Sequence, residues 1–357
     1  MRIYLTNKEA VKFDFTQNPY SFKVVESIKL KPQKRGFYRL IEVTKKNRST
    51  IELIEYLSSV LKIEQKEIGY AGLKDKNATT TQYLTLPREI KVDNFKNSDE
   101  ISIQEIGFVS KPLKIGDLES NSFTIILKNM DEIEYKKFQK SIEKIKKQGF
   151  ANFFGYQRFG KNDQESIKKG KKIAYSGDRV KNQRGRILVA SYQSKMFNDW
   201  LNRRLEISKL ILEDKKDNFL KQLSPTLYKT IQKTDTLFKL LPGDLGYIFK
   251  NGRKNFLNVN DIEKFSDSFK KREFHPTGVL YGNSVRLSSS IAKIVESEFI
   301  DYNFNALRGA RRDAWVWPKN LKYWYNPQKK SLKLMFSLPP GSYATVLLEE
   351  LANKELK

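Results

Sequence analysis

One stretch of the chain sets a lone acid among bases. In GYAGLKDKNATTTQ, Gly69 to Gln82, Asp75 stands between Lys74 and Lys76, with small residues before it and threonines after. An ionised carboxylate is a nucleophile that needs no activating base. Neighbouring ammonium groups favour the ionised form and lower its pKa. Gly72 lets backbone or substrate come close. The same residues also suit a turn aspartate that caps the amide of Asn77 or Thr79, with surface lysines on either side. No other acid lies between Glu67 and Glu89. The loop therefore lacks the converging carboxylates that a metal-dependent nuclease needs.

A second stretch, GFANFFGYQRFG from Gly149 to Gly160, combines four phenylalanines and a tyrosine with Asn152, Gln157, Arg158 and three glycines. Single-stranded RNA is recognised by stacking bases on aromatic faces and reading base edges with amides. In an extended stretch Phe153 and Phe154 face opposite ways, so one can anchor the loop while the other meets a base. A glycine-jointed hydrophobic loop, tied by Asn152 as a buried amide, accounts for the same residues. Phe22 in FKVVES and Tyr343 in SYATVLLEEL are core side chains by default, although Tyr343 opens a helix and can project toward a ligand. Arg311 and Arg312 in GARRDAW are candidate phosphate contacts or a solvated pair. His275 in FHPTGVLYG sits beside Pro276 in an expected turn.

Composition narrows the chemistry. The 357 residues contain no cysteine and a single histidine. Disulfides, thiolate catalysis, Cys-based zinc sites and multi-His metal sites are excluded. Cofactor-free carboxylate chemistry is the easiest that remains, and no metal site is expected. Lys and Arg number 67 against 41 Asp and Glu, a net charge of +26. That excess suits a polyanionic partner, nucleic acid first and an acidic membrane surface second; a lysine-biased composition would also produce it. No segment approaches the roughly 20 apolar residues of a membrane span. The expectation is a soluble, cytoplasmic protein.

The elements that must position these residues follow from pattern. FYRLIEVTK, 37–45, reads as a strand with Phe37, Ile41 and Val43 on one face. Ser49 and Glu52 form a capping-box pattern for a helix to about Leu61, whose Ile54, Leu57 and Leu61 fall at helical spacing. Strands are expected at 82–86, 122–129 and 332–336. Helices are expected at 131–148, with a lysine-rich face, and at 186–207, with Tyr192, Met196 and Trp200 on one stripe. Basic segments KKGKK, 168–172, and KNQRGR, 181–186, lie between them. Ser342 is the expected N-cap of a final helix. Strands toward both ends with a different texture between them suggest a mixed α+β domain interrupted by an inserted one.

Taken in order, these segments resemble the TruD family of pseudouridine synthases. GYAGLKDKNATTTQ is similar to that family's nucleophile motif, NFFGYQRFG to its second signature and FSLPPGSYATVLLEEL to its C-terminal one. FKVVES, HPTGVLYG and GARRDAW follow in the expected sequence, so the resemblance spans about Phe22 to Leu351. It implies an α+β fold: a pseudouridine-synthase-like catalytic domain with a mixed, mainly antiparallel sheet, and an inserted family-specific α+β domain. The catalytic domain would be residues 1–159 and 317–357, and the insertion 160–316. The resemblance further implies conversion of a tRNA D-arm uridine, at position thirteen, to pseudouridine, with no cofactor. Asp75 matches the catalytic aspartate. Phe22, Asn152 and Tyr343 match positions that contact the uridine, and Phe154 an aromatic beside it. Tyr343 stands where a phenylalanine is also found. Lys74, Lys76, Arg158, Arg311 and Arg312 are the candidates for the RNA backbone. The expected partner is tRNA, with no protein partner and a monomeric chain. A catalytically silent RNA-binding or RNA-chaperone protein on the same scaffold is the alternative.

Overall fold

The computed structural model describes residues 2–6, 9–93, 95–160, 163–176 and 183–356. Lys181 and Asn182 of the basic KNQRGR segment lie outside the described residues. The chain divides into two compact units. The first is Val11–Lys140 with Pro318–Gly341; the second is Met1–Ala10, Ser141–Trp317 and Ser342–Lys357. The aromatic loop that follows Gly149 and the final helix thus both belong to the second unit.

The first unit is built on an eight-stranded sheet. From one edge to the other its strands are Lys319–Asn326, Ser331–Leu338, Leu118–Leu127, Phe22–Ile28, Thr79–Pro87, Tyr38–Lys46 and Ile101–Val109, and the short Gly69–Tyr70 strand pairs with Thr79–Pro87. Within this sheet, among the described residues, only Phe22–Ile28 and Thr79–Pro87 pair in parallel; the other neighbours are antiparallel. Side chains alternate across the sheet. Phe22, Val24 and Glu26 point into the protein, as do Ile41, Val43 and Lys45. Phe37 departs from the expected pattern. The strand begins one residue later, and Phe37 is 75% exposed.

Helix Thr50–Leu61 covers part of this sheet. Ser49 accepts from the Glu52 amide at 3.2 Å and Glu52 accepts from the Ser49 amide at 2.7 Å, so the capping box forms as its spacing predicts. Leu53, Ile54 and Leu57 pack on Ile41, Val43, Leu84 and Leu86, with Leu61 partly buried beside them. Each such side chain contributes about 1.5–3 kcal/mol by leaving water.

In the second unit the helix Gln183–Leu212 is longer than its pattern suggests. It buries Met196, Phe197, Trp200, Leu201 and Leu205, whereas Tyr192 is half-buried. A four-stranded sheet runs Ala310–Asp313, His275–Leu280, Leu245–Lys250, Arg253–Asn258. Its second strand can approach the long helix because Gly278 has no side chain: a Cβ there would fall 2.0 Å from the Trp200 ring. His275 lies in this strand rather than in a turn, with its ring stacked 4.9 Å from Tyr247. Pairing with Leu245–Lys250 holds it extended, which the adjacent Pro276 concealed. Ser342 is not the final N-cap; the helix is Ala344–Ala352 and Tyr343 occupies the cap without a side-chain cap bond. Among the described residues no helix is long and apolar enough to cross a membrane. The architecture is α+β with a mainly antiparallel principal sheet.

Candidate active site

Asp75 sits in the loop between Gly69–Tyr70 and Thr79–Pro87. Three side chains hold that loop. Thr50, at the start of the capped helix, accepts from the Lys74 amide at 2.8 Å and donates to Gln82 Oε1 at 3.0 Å. Lys45 Nζ donates to the carbonyl of Asp75 at 3.1 Å and also to that of Arg48. Lys74 Nζ turns inward onto Glu26 at 2.6 Å. Backbone, helix and sheet are therefore pinned to one another around a single carboxyl.

The electrostatics correct the expectation for Asp75. Its flanking lysines were expected to lower its pKa; burial instead raises it. Gln17, the Asp75 backbone amide, and the charges of Lys45 and Lys74 oppose that rise without cancelling it. Lys76 is absent from these influences: it is 57% exposed and pairs with Glu52 at 2.5 Å. The ammonium that pattern reading missed is Lys45. It is buried, and burial lowers its pKa to about 8 against the pull of Asp75 and Glu52. The signal was present in the alternation, since Lys45 shares the parity of Ile41 and Val43 on a core-facing side. A lysine at such a position needs a partner or a task.

Phe22 belongs to the same unit, and its ring is buried. It meets Phe15 at 6.1 Å and Phe123 at 5.9 Å, and Phe123 stacks on Phe336 at 5.3 Å.

The second unit carries Asn152, Phe154, Arg158, Arg311, Arg312 and Tyr343. Phe153 and Phe154 do not split between core and surface as an extended stretch would predict: both are buried. Phe153 lies under the Arg2 guanidinium at 4.6 Å, whereas Phe154 meets Phe197 at 5.6 Å and Tyr343 at 6.2 Å. Asn198 on the long helix fixes the Phe154 backbone, accepting its N–H at 2.9 Å and donating to its carbonyl at 3.0 Å. Asn152 is also buried, and its amide donates to the carbonyl of Asp313 at 2.9 Å. Tyr343 is half-buried. A Cβ on Gly155 would come within 3.2 Å of its ring, so this glycine leaves room for it.

Three of the five basic candidates are committed inside the protein. Lys74 is paired with Glu26. Arg311 is sealed against Glu296 at 2.6 Å and also donates to the Thr277 carbonyl at 2.6 Å. Arg312 donates to the carbonyls of Asn152 and Phe153. Adjacent arginines on the Ala310–Asp313 strand point to opposite sides and find different buried partners, which their sequence does not disclose. Lys76 and Arg158 keep exposed surface, with Arg158 Nε donating to Ser194 at 3.1 Å. Among the described residues no three His, Asp or Glu side chains converge in a way that could hold a metal ion.

The family model of tRNA pseudouridine synthase D (TruD) matches residues 1–178 and 224–351. The chain belongs to the TruD family. A TruD-family relative from Wolinella succinogenes, tRNA pseudouridine synthase D, is 38% identical over 100% of this chain and 99% of its own. The protein of the same name from Sulfurimonas denitrificans is 36% identical, covering 99% of each chain. The fold is also that of a crystallised Methanosarcina mazei chain described as TruD, with a TM-score of 0.71, 22% identity, and coverage of 99% of this chain and 97% of that one. Asp75 lies in the first matched segment, on a loop held by Lys45, Lys74 and Thr50.

Proposed function

We propose that this TruD-family chain is a tRNA pseudouridine synthase with Asp75 as its nucleophile. The observation that carries this reading is the half-buried Asp75, whose carboxyl pKa burial raises, on a loop pinned by Lys45, Lys74 and Thr50. The reaction breaks the N-glycosidic bond of a uridine and joins C5 of the base to the ribose C1′. It is redox-neutral and loses no atoms overall, because the proton that leaves C5 is balanced by the one N1 gains; a carboxylate, a pocket that retains the base and a carrier for that proton, such as water, are sufficient. Asp75 attacks either ribose C1′ or uracil C6. In the first route it offsets oxocarbenium-like charge at the sugar, as glycosidase carboxylates do.

The target, on family resemblance, is the D-arm uridine at position thirteen. It must leave its stack, at a cost of a few kcal/mol. The half-buried Tyr343 supplies aromatic surface for the turned-out base, with the buried Phe154 ring packed behind it at 6.2 Å, and on family resemblance Asn152 supplies an amide for its edge. The net charge of +26 supplies attraction to the tRNA backbone. Lys76 and Arg158 are the basic candidates with surface left for phosphate. The work proposed is that of a cytoplasmic monomer without a cofactor.

The test compares unmodified tRNA incubated with the protein and with Asp75→Asn, read by pseudouridine-specific sequencing. The proposal expects one new signal in the D arm with the unmutated protein and none with the variant, at unchanged tRNA binding. An active Asp75→Asn protein, or binding without modification at stoichiometric protein, overturns it. The second result would leave an RNA-binding protein on the same scaffold.

A further inference from the structure

Arg312 makes contacts that a phosphate-binding arginine would not. Its Nε and Nη2 donate to the Asn152 carbonyl at 3.1 and 2.9 Å. Nη2 also donates to Asn152 Oδ1 at 3.1 Å and to the Phe153 carbonyl at 3.3 Å. The face of the same guanidinium lies 3.8 Å from the centroid of the Phe154 ring and 5.3 Å from that of Phe197. One side chain thus grips two residues that the proposed function assigns to the uridine. It holds Asn152 through the edge of its plane and Phe154 through the flat of it.

We infer that Arg312 is a positioning residue for the base-binding wall, acting through the Asn152 amide and the Phe154 ring. The inference rests on the proposed function. The amide orientation is the sharper part. Asn152 Oδ1 faces a donor on Arg312, while Nδ2 faces an acceptor, the Asp313 carbonyl at 2.9 Å. Turned over, the amide would set donor against donor and acceptor against acceptor. One N–H and one oxygen lone pair remain uncommitted by these contacts. The hold fixes on which side of the amide each lies, and a fixed donor–acceptor order is what reading a uracil edge requires. Burial lowers the Arg312 pKa to about 10, with Tyr343 and Asp313 opposing, so it keeps its charge at neutral pH. Lysine could not replace it, because only a planar guanidinium donates in its plane and stacks by its face at once.

Arg312→Lys keeps the charge and removes the fork, and a double-mutant cycle with Asn152→Ala reads the connection. The expectation is a fall in kcat of about 10-fold or more in Arg312→Lys, with tRNA affinity within about 2-fold of the unmutated protein. On the Asn152→Ala background the same change should add less than about 2-fold, because the group through which Arg312 acts is gone. Three results overturn the inference. One is an unchanged kcat. Another is the same loss on both backgrounds. The third is weaker tRNA binding with a salt slope smaller by about one, the mark of a phosphate contact. If Arg312→Lys does not fold, the side-chain amide of Asn152 in the unmutated, asparagine-labelled protein decides by NMR. Ordered, slowly exchanging amide protons support the hold, and a freely rotating, fast-exchanging amide overturns it. A protein that forms no pseudouridine fails the proposed function instead, and the amide signal still reports whether Arg312 orients Asn152.

Discussion

Lys74 Nζ lies 2.6 Å from Glu26 Oε2, and the two side chains are 4% and 0% exposed. The lysine next to the candidate nucleophile therefore faces away from any RNA. It closes a buried ion pair that ties the Asp75 loop to the strand Phe22–Ile28.

Removing one partner of a buried pair leaves a desolvated charge. Lys74→Met should cost about 3–5 kcal/mol near neutral pH, measured by urea unfolding. Burial already raises the Glu26 pKa, and the variant removes the charge that opposes the rise. A carboxyl with a raised folded-state pKa costs stability above that value and none below its unfolded one. The penalty should therefore shrink as the pH falls through the raised Glu26 pKa. Glu26→Gln combined with Lys74→Met should recover much of the loss. A penalty independent of pH would mean that Lys74 stabilises the loop by packing alone.

Asp75 must be ionised to attack, and burial raises its pKa above the ordinary value of 3.8. Activity should be lost as the pH falls through that raised value, so the acidic limb of the kcat profile should lie above 3.8. A limb at or below the ordinary value would show that the carboxyl is better solvated in the working enzyme than its surroundings imply.

Lys45, on the strand Tyr38–Lys46, and Lys76, within this loop, should behave differently. Lys45 favours the charged form of Asp75, and Lys76 is engaged with Glu52. Lys45→Met should move the acidic limb further upward and loosen the loop, since the carbonyls of Arg48 and Asp75 lose a donor. Lys76→Met should leave the limb where it is. A pH–rate series on both variants separates them, and equal shifts would refute the assignment.

Gly155 has ordinary extended backbone, with φ −73°, so alanine meets no conformational strain there. A Cβ would nevertheless lie 3.1 Å from Thr345 Oγ1 and 3.2 Å from the Tyr343 ring. Gly155→Ala should change stability by less than about 1 kcal/mol. Its kcat/KM should fall about 10-fold as the Tyr343 ring is displaced. Tyr343→Phe should retain activity. If Gly155→Ala is fully active, the Tyr343 ring position is not critical.

Local signals carried well wherever one element decides the outcome. Ser49 and Glu52 cap each other because a helix start satisfies its own amides within four residues. The stripe on that helix and the strands near 41, 84, 125 and 334 follow from periodicity for the same reason. His275 failed because its neighbour Pro276 is a turn signal, and its extended state comes from Leu245–Lys250, a strand about thirty residues upstream.

Residue types and their order were enough to exclude thiol and multi-His metal chemistry, to offer Asp75 as a candidate and to suggest a polyanion. Charge balance and motif order survive without coordinates. The partners of each charge do not. Lys74 meets Glu26 across forty-eight positions of chain, and Arg312 meets Asn152 across 160. Burial then reversed the sign expected for Asp75, because the cost of leaving water depends on everything that surrounds a group and not on its two neighbours in sequence. Whether a lysine or arginine turns into the protein interior was settled by its place on a strand or loop and by the partner that lay beyond.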